Sequence, residues 1–180
     1  MEIKDKKELA SNWFRDLRDT FCSSFESIEG NKYSFERKSW PHRHSGGGEM
    51  SIMKGEVFEK VGVNISTVSG KFQEDFRGQI KGTEQSPEYF ATGISLVAHM
   101  QSPKTPAVHM NTRMFWTKGM SWFGGGSDLN PMVENEEDTR YFHNELKKVC
   151  DKADKEYYTK FKNWADEYFM IKHWNEPRGV

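Results

Sequence analysis

The chain has 180 residues, enough for one domain with a core of its own, and its formal net charge of -1 gives no electrostatic reason to expect nucleic acid or an anionic membrane surface as a partner. Hydrophobic residues make up 35% and aromatics 14%, with six Trp and nine Met, so large apolar contact surfaces are expected. No apolar run is long enough to span a bilayer.

The start, "MEIKDKKELA", is charged and lacks an apolar signal core, and the two cysteines, Cys22 and Cys150, are too few for a disulfide framework. Both features lead us to expect a soluble protein of the reducing cytoplasm. Residues 3 to about 29 predict an amphipathic helix, with Leu9, Trp13, Leu17, Phe21 and Phe25 recurring every four residues and Gly30 as a stop. Glycines 46 to 48 are expected to form a loop, and short β-rich runs follow, two of them joined at a "KGE" turn. "VGVNISTVSG" reads as a strand ending at Gly70, and residues 71 to 89 as a polar surface excursion.

"ATGISLVAHM" is the next strand. Alternation puts Gly93, Ser95, Val97 and His99 on one face and Ile94, Leu96 and Ala98 on the other. A proline-bearing connection, "QSPKTPA", leads to "AVHMNTRMF". There His109, Asn111 and Arg113 share one face, and Val108, Met110, Thr112 and Met114 share the other. If these two strands pair as a hairpin, their polar rows line the same side and form the floor of a pocket. "SWFGGGSDLNP" is expected to be a second glycine loop, followed by Asp128. From about residue 135 the spacing of Phe142, Leu146 and Val149 is helical, and "YYTKFKNWADEYFMIKHW" predicts a further aromatic helix. The order of helix, strands and helices implies one α+β domain over residues 1–180 with a mainly antiparallel sheet.

Neither glycine run matches a phosphate loop or a dinucleotide fingerprint. Glycine is expected there because the backbone needs positive φ or a close approach to a ligand or another segment. The six histidines include no zinc-finger or HExxH spacing. Arg113 offers a planar fork that fits a carboxylate bidentately, although a strand arginine also pairs with surface carboxylates. Asp128 fits a turn or helix cap, or a pocket carboxylate acting as a base or cation partner. Read alone, these residues reach a polar, arginine-containing pocket and no reaction.

Several stretches together resemble one family. "SW" followed by "GGG", then "VFEKVGVNIS", "ATGISLVAH", "VHMNTR", "WFGGGSDLNP" and "WADEYFMIKHWNEPRG" look like the oxygen-dependent coproporphyrinogen-III oxidases of haem biosynthesis, in the family's order, from about residue 39 onward. The resemblance implies a homodimer built on a large antiparallel sheet flanked by helices. It also implies oxidative decarboxylation of two propionates of coproporphyrinogen III to vinyl groups, with O2 as co-substrate and no organic cofactor. His109 matches the family's proton donor, Asn111, Thr112 and Arg113 a substrate-contacting segment, and Ser95 a further substrate contact. Asp128 matches the aspartate placed to meet pyrrole N–H groups, and Arg178 an arginine linked to substrate or local structure. His99, His109, His143 and His173 match positions proposed as divalent-metal ligands in some bacterial members. Aromatic walls at Trp122 and Phe123 would suit a flat macrocycle.

The chain also departs from the family pattern. Trp174 stands where arginine is usual, Ala165 where cysteine is usual and Asn130 where threonine is usual, and "HSGGG" has one glycine fewer. The family continues past "EPRG" with more strands and helices, a dimerisation segment and an Asp–Arg pair. A chain incomplete at its C-terminus is therefore expected. Three readings follow: an active oxidase, a truncated relative that binds a porphyrinogen without turnover, and an interaction module unrelated to haem.

Overall fold

The structure, a computed structural model, describes residues 2–76, 78–177 and 179, with Phe76 described by its backbone alone. Helix α1 (Ile3–Ile28) is followed by six strands: β1 (Glu36–Pro41), β2 (Ser45–Met53), β3 (Phe58–Lys71), β4 (Glu88–Met100), β5 (Ala107–Thr117) and β6 (Met120–Asn130). They form one antiparallel sheet in chain order, each strand paired with the next. Only the β3–β4 connection is long, and it carries a short 3-10 turn at Glu74–Phe76. Helices α2 (Glu136–Asp151) and α3 (Tyr157–Phe169) follow, then a ribbon of β7 (Met170–Ile171) and β8 (Glu176–Pro177). The α+β class and the antiparallel sheet are as the segment order implies.

Helix α1 lies across one face of the sheet, over β3 and β4. Phe14, Cys22, Val61, Val63, Ile94, Leu96, Ala98 and Met114 make the core between them. The predicted stripe is partly displaced: Leu17, Phe21 and Phe25 pack against the core, but Leu9 and Trp13 are exposed, and Ala10 and Phe14 are buried in their place. Steps of four residues advance about 40° past a full turn, so a strict four-residue stripe winds off the buried face within a few turns.

The end of α1 is fastened to the sheet by Glu29. Its carboxylate accepts the backbone N–H groups of Glu56, Val57 and Phe58 at 3.0, 3.0 and 2.8 Å. Gly55 belongs to the same lock, since a Cβ there would stand 2.3 Å from the Glu29 carboxylate.

Both glycine runs expected as loops are strand. Glycines 46 to 48 lie in β2, and "SWFGGG" lies in β6. The reason is close approach between neighbouring chains: a Cβ at Gly47 would come within 2.3 Å of the Trp40 carbonyl oxygen, and one at Gly125 within 2.2 Å of the Asn111 carbonyl oxygen.

Asn135 caps α2 by accepting from the N–H groups of Glu137 and Asp138. Helices α2 and α3 pack chiefly on each other, hold no fully buried residue, and leave Tyr141, Val149, Trp164 and Tyr168 exposed. Of the helices, α1 is thus the one that covers the sheet. Among the described residues no helix is long and apolar enough to cross a membrane.

Candidate active site on the open sheet face

Directly opposed residues in an antiparallel pair point to the same side. The register therefore sorts the side chains that face away from α1 into rows running across the strands. One row is Asn64, Ser95, Asn111 and Gly126. The next on one side is Ser66, Gly93, Arg113 and Gly124, and on the other Gly62, Val97, His109 and Asp128. The polar stripes of β4 and β5 do meet on one face.

Arg113 stands between two glycines. A Cβ at Gly93 would be 2.7 Å from the Arg113 Cβ, so only glycine lets the arginine lie there. A Cβ at Gly124 or Gly126 would meet nothing within 4 Å, which leaves open space beside Arg113 and Asn111. Arg113 is exposed, and no ion-pair partner stands against it among the described residues. An exposed guanidinium over a glycine floor can receive a carboxylate without first breaking another pair.

One row away, His109 Nδ1 lies 3.0 Å from Asp128 Oδ1, and Asn130 Nδ2 donates to Asp128 Oδ2 at 2.5 Å. The His109 side chain is 37% exposed and that of Asp128 only 7%. The carboxylate is therefore behind the imidazole, and Nε2 is the ring nitrogen left without a protein partner. A buried acceptor on Nδ1 favours the Nδ1–H tautomer, which makes Nε2 an acceptor. The Ser127 hydroxyl donates to the His109 carbonyl and ties the two strands beside the pair.

At the far end of the face the aromatics converge. Phe115 lies 5.0 Å from Trp122 and stacks with Tyr89 and Phe72, ring centroids 6.1 and 6.3 Å away. Phe123 is not part of this wall: it pairs with Met114 on the α1 side of the sheet and is solvent-exposed there. Thr112, a substrate contact by the resemblance, pairs with Ile94, so its side chain also points to the α1 side, where alternation along β5 puts it.

The four histidines proposed as metal ligands are spread out. His109 and the exposed His99 are on the polar face, whereas His143 is on α2 and His173 follows β7 against Trp174. Burial lowers the His143 pKa, reinforced by Lys162 and opposed by Asp166, and its Nδ1 is buried without a partner. Because α2 packs on α3, these donors do not converge. Among the described residues no three His, Cys, Asp or Glu side chains stand together as cation ligands, so this arrangement does not fit the metal. Arg178 lies outside the described residues.

Asn64 is a member of the face that the sequence reading missed. Its Oδ1 is buried with no partner, opposite Ser95. The same alternation, applied to "VGVNISTVSG", puts Gly62, Asn64 and Ser66 opposite Val63 and Ile65, and would have found it.

Residues 9–180 match the family model described as coproporphyrinogen III oxidase. The chain belongs to the coproporphyrinogen III oxidase family. It is 54% identical over 185 residues to the oxygen-dependent coproporphyrinogen-III oxidase of Rickettsia akari (strain Hartford), an alignment covering 98% of this chain and 66% of that protein. The corresponding oxidase of Rickettsia bellii (strain OSU 85-389) is 53% identical over 186 residues, with the same coverage. The chain thus spans 66% of the length of these curated relatives. All of the polar face described above falls inside the matched family region.

Proposed function

We propose that the open sheet face binds coproporphyrinogen III and supports its oxidative decarboxylation to protoporphyrinogen IX. The observation that carries this is the pairing of an exposed Arg113, set between glycines, with a carboxylate-backed His109 on the same face of a family member.

For each propionate, the bond to the carboxyl carbon breaks and releases carbon dioxide, and the carbon beside the ring loses hydrogen. Dioxygen takes up the two electrons and two protons as hydrogen peroxide, leaving a vinyl group. Arg113 anchors a propionate by its fork, which holds the reacting carbon in place. Ser95 and Asn111 supply hydrogen bonds in the adjoining row, and Trp122 on Phe115 gives the macrocycle an apolar edge. His109 Nε2 accepts the pyrrole proton as the electron-rich ring gives electrons to oxygen, and Asp128 stabilises the imidazolium that forms. In this account Asp128 acts through His109, because both of its oxygens are already engaged. The function asks for no organic cofactor, and a homodimer in the cytoplasm is the setting that goes with it.

The test is an aerobic assay of the purified chain with reduced coproporphyrinogen III, reading protoporphyrin fluorescence after oxidation, with Arg113→Ala as control. Product from the wild type and a loss of at least tenfold in the control are expected. Equal product from both proteins would remove Arg113 from the reaction. A second reading rests on the exposure of Arg113 and of the His109 ring: a chain that binds the porphyrinogen and turns it over weakly because water reaches the reacting groups.

A further inference from the structure

We propose that Asn130 is a positioning residue that locks the Asp128 carboxylate and, through it, the His109 ring. The inference rests on the role given to His109 above, and it assigns a task to a residue where the family pattern has threonine.

A carboxylate's terminal torsion is broad and roughly two-fold, so packing alone does not choose which way its oxygens point. Here each oxygen has its own partner on the polar face: Oδ2 accepts from the Asn130 amide and Oδ1 faces His109 Nδ1. Alternation along β6 brings Asp128 and Asn130 to one side, and the register sets Asp128 opposite His109. With Oδ2 held, Oδ1 stays in the plane that takes the Nδ1–H, and the ring is fixed with Nε2 outward. Gly179 comes close to this end of β6: its φ of +76° favours glycine, and a Cβ there would stand 2.9 Å from the Leu129 carbonyl oxygen. The result is a relay of Asn130, Asp128 and His109 in which the first member touches neither substrate nor reacting atoms.

The experiment is nitrogen-15 NMR of His109 in the 180-residue chain at about pH 9, where an ordinary imidazole is neutral. The wild type is expected to show a single Nδ1–H tautomer with slow exchange of that proton. Asn130→Leu should give a mixture of tautomers and exchange at least tenfold faster, with amide shifts elsewhere unchanged. Asn130→Thr, which keeps a donor, should restore the wild-type signature. If Asn130→Leu does not fold, Asn130→Ala removes the donor without added bulk and is read in the same way. A single tautomer with unchanged exchange in the donor-less variant overturns the inference. The readout needs no turnover, so a chain with an ordered ring but no porphyrinogen chemistry would refute the proposed reaction and leave the relay standing.

Discussion

Replacing Glu29 with alanine should cost about 3 kcal/mol of stability, because the three N–H groups it serves do not lose the same thing. Glu56 and Val57 are exposed, so water takes over their donors and the loss is the difference between a charge-assisted bond and a solvated one. Phe58 is 4% exposed, and its N–H would be left buried without an acceptor, which alone costs about 1–3 kcal/mol. Glu29→Gln should lose roughly half as much, since an amide oxygen still accepts from Phe58 while the amide NH2 faces a second donor. For a chain of this size, 3 kcal/mol corresponds to a fall in Tm of about 6–12 °C. Urea unfolding followed by circular dichroism measures it. A Glu29→Ala protein within about 1 kcal/mol of the wild type would refute the reasoning, and with it the view that this carboxylate joins the end of α1 to the β2–β3 turn.

Further outcomes are expected at the sheet face and in the core. Gly124→Leu should leave stability within about 0.5 kcal/mol, because the added side chain enters open space, yet weaken porphyrinogen binding at least tenfold by filling the room beside Arg113; Gly125→Ala, by contrast, should visibly lower Tm, since its Cβ would meet the Asn111 carbonyl at 2.2 Å. Arg113→Lys should weaken binding by about tenfold, as a point charge replaces a bidentate fork, which equilibrium titration under anaerobic conditions would show. Cys22 is 2% exposed and burial raises its thiol pKa above the ordinary 9.0. The unfolded chain therefore gives up that proton first, so this group's stabilisation is full below pH 9 and is lost as pH rises through the folded pKa. Cys22→Ala should flatten the alkaline arm of the stability curve, and a thiol reagent should modify Cys150 but not Cys22 in the native chain.

Much of the sheet could be read from alternation alone. The apolar side of β4, at Ile94, Leu96 and Ala98, is the core side, and the polar stripe of β5 does share a face with Ser95. The glycine strands could not be read that way. Glycine is depleted from strands by local preference, and what holds Gly47 and Gly125 there is the approach of a neighbouring backbone, a tertiary fact. The pairing of His109 with Asp128 was closer to hand. Thr117 and Met120 flank a two-residue turn at Lys118 and Gly119, and counting eight residues back from each side sets His109 opposite Asp128. Treating "SWFGGG" as a loop hid that register. Thr112 and Phe123 each lie inside a matching stretch yet point to the α1 side of the sheet, and for Thr112 the alternation along β5 already placed it there.

On the function proposed above, the sheet face opposite α1 is where a porphyrinogen sits. The most direct measurement is amide chemical-shift mapping of the chain on anaerobic addition of reduced coproporphyrinogen III. Shifts concentrated at residues 62–66, 93–97, 109–113 and 124–130, and absent in Arg113→Ala, are the predicted result. Shifts confined to α1 or to the exposed aromatics of α2 and α3, or unchanged by the loss of Arg113, would contradict it.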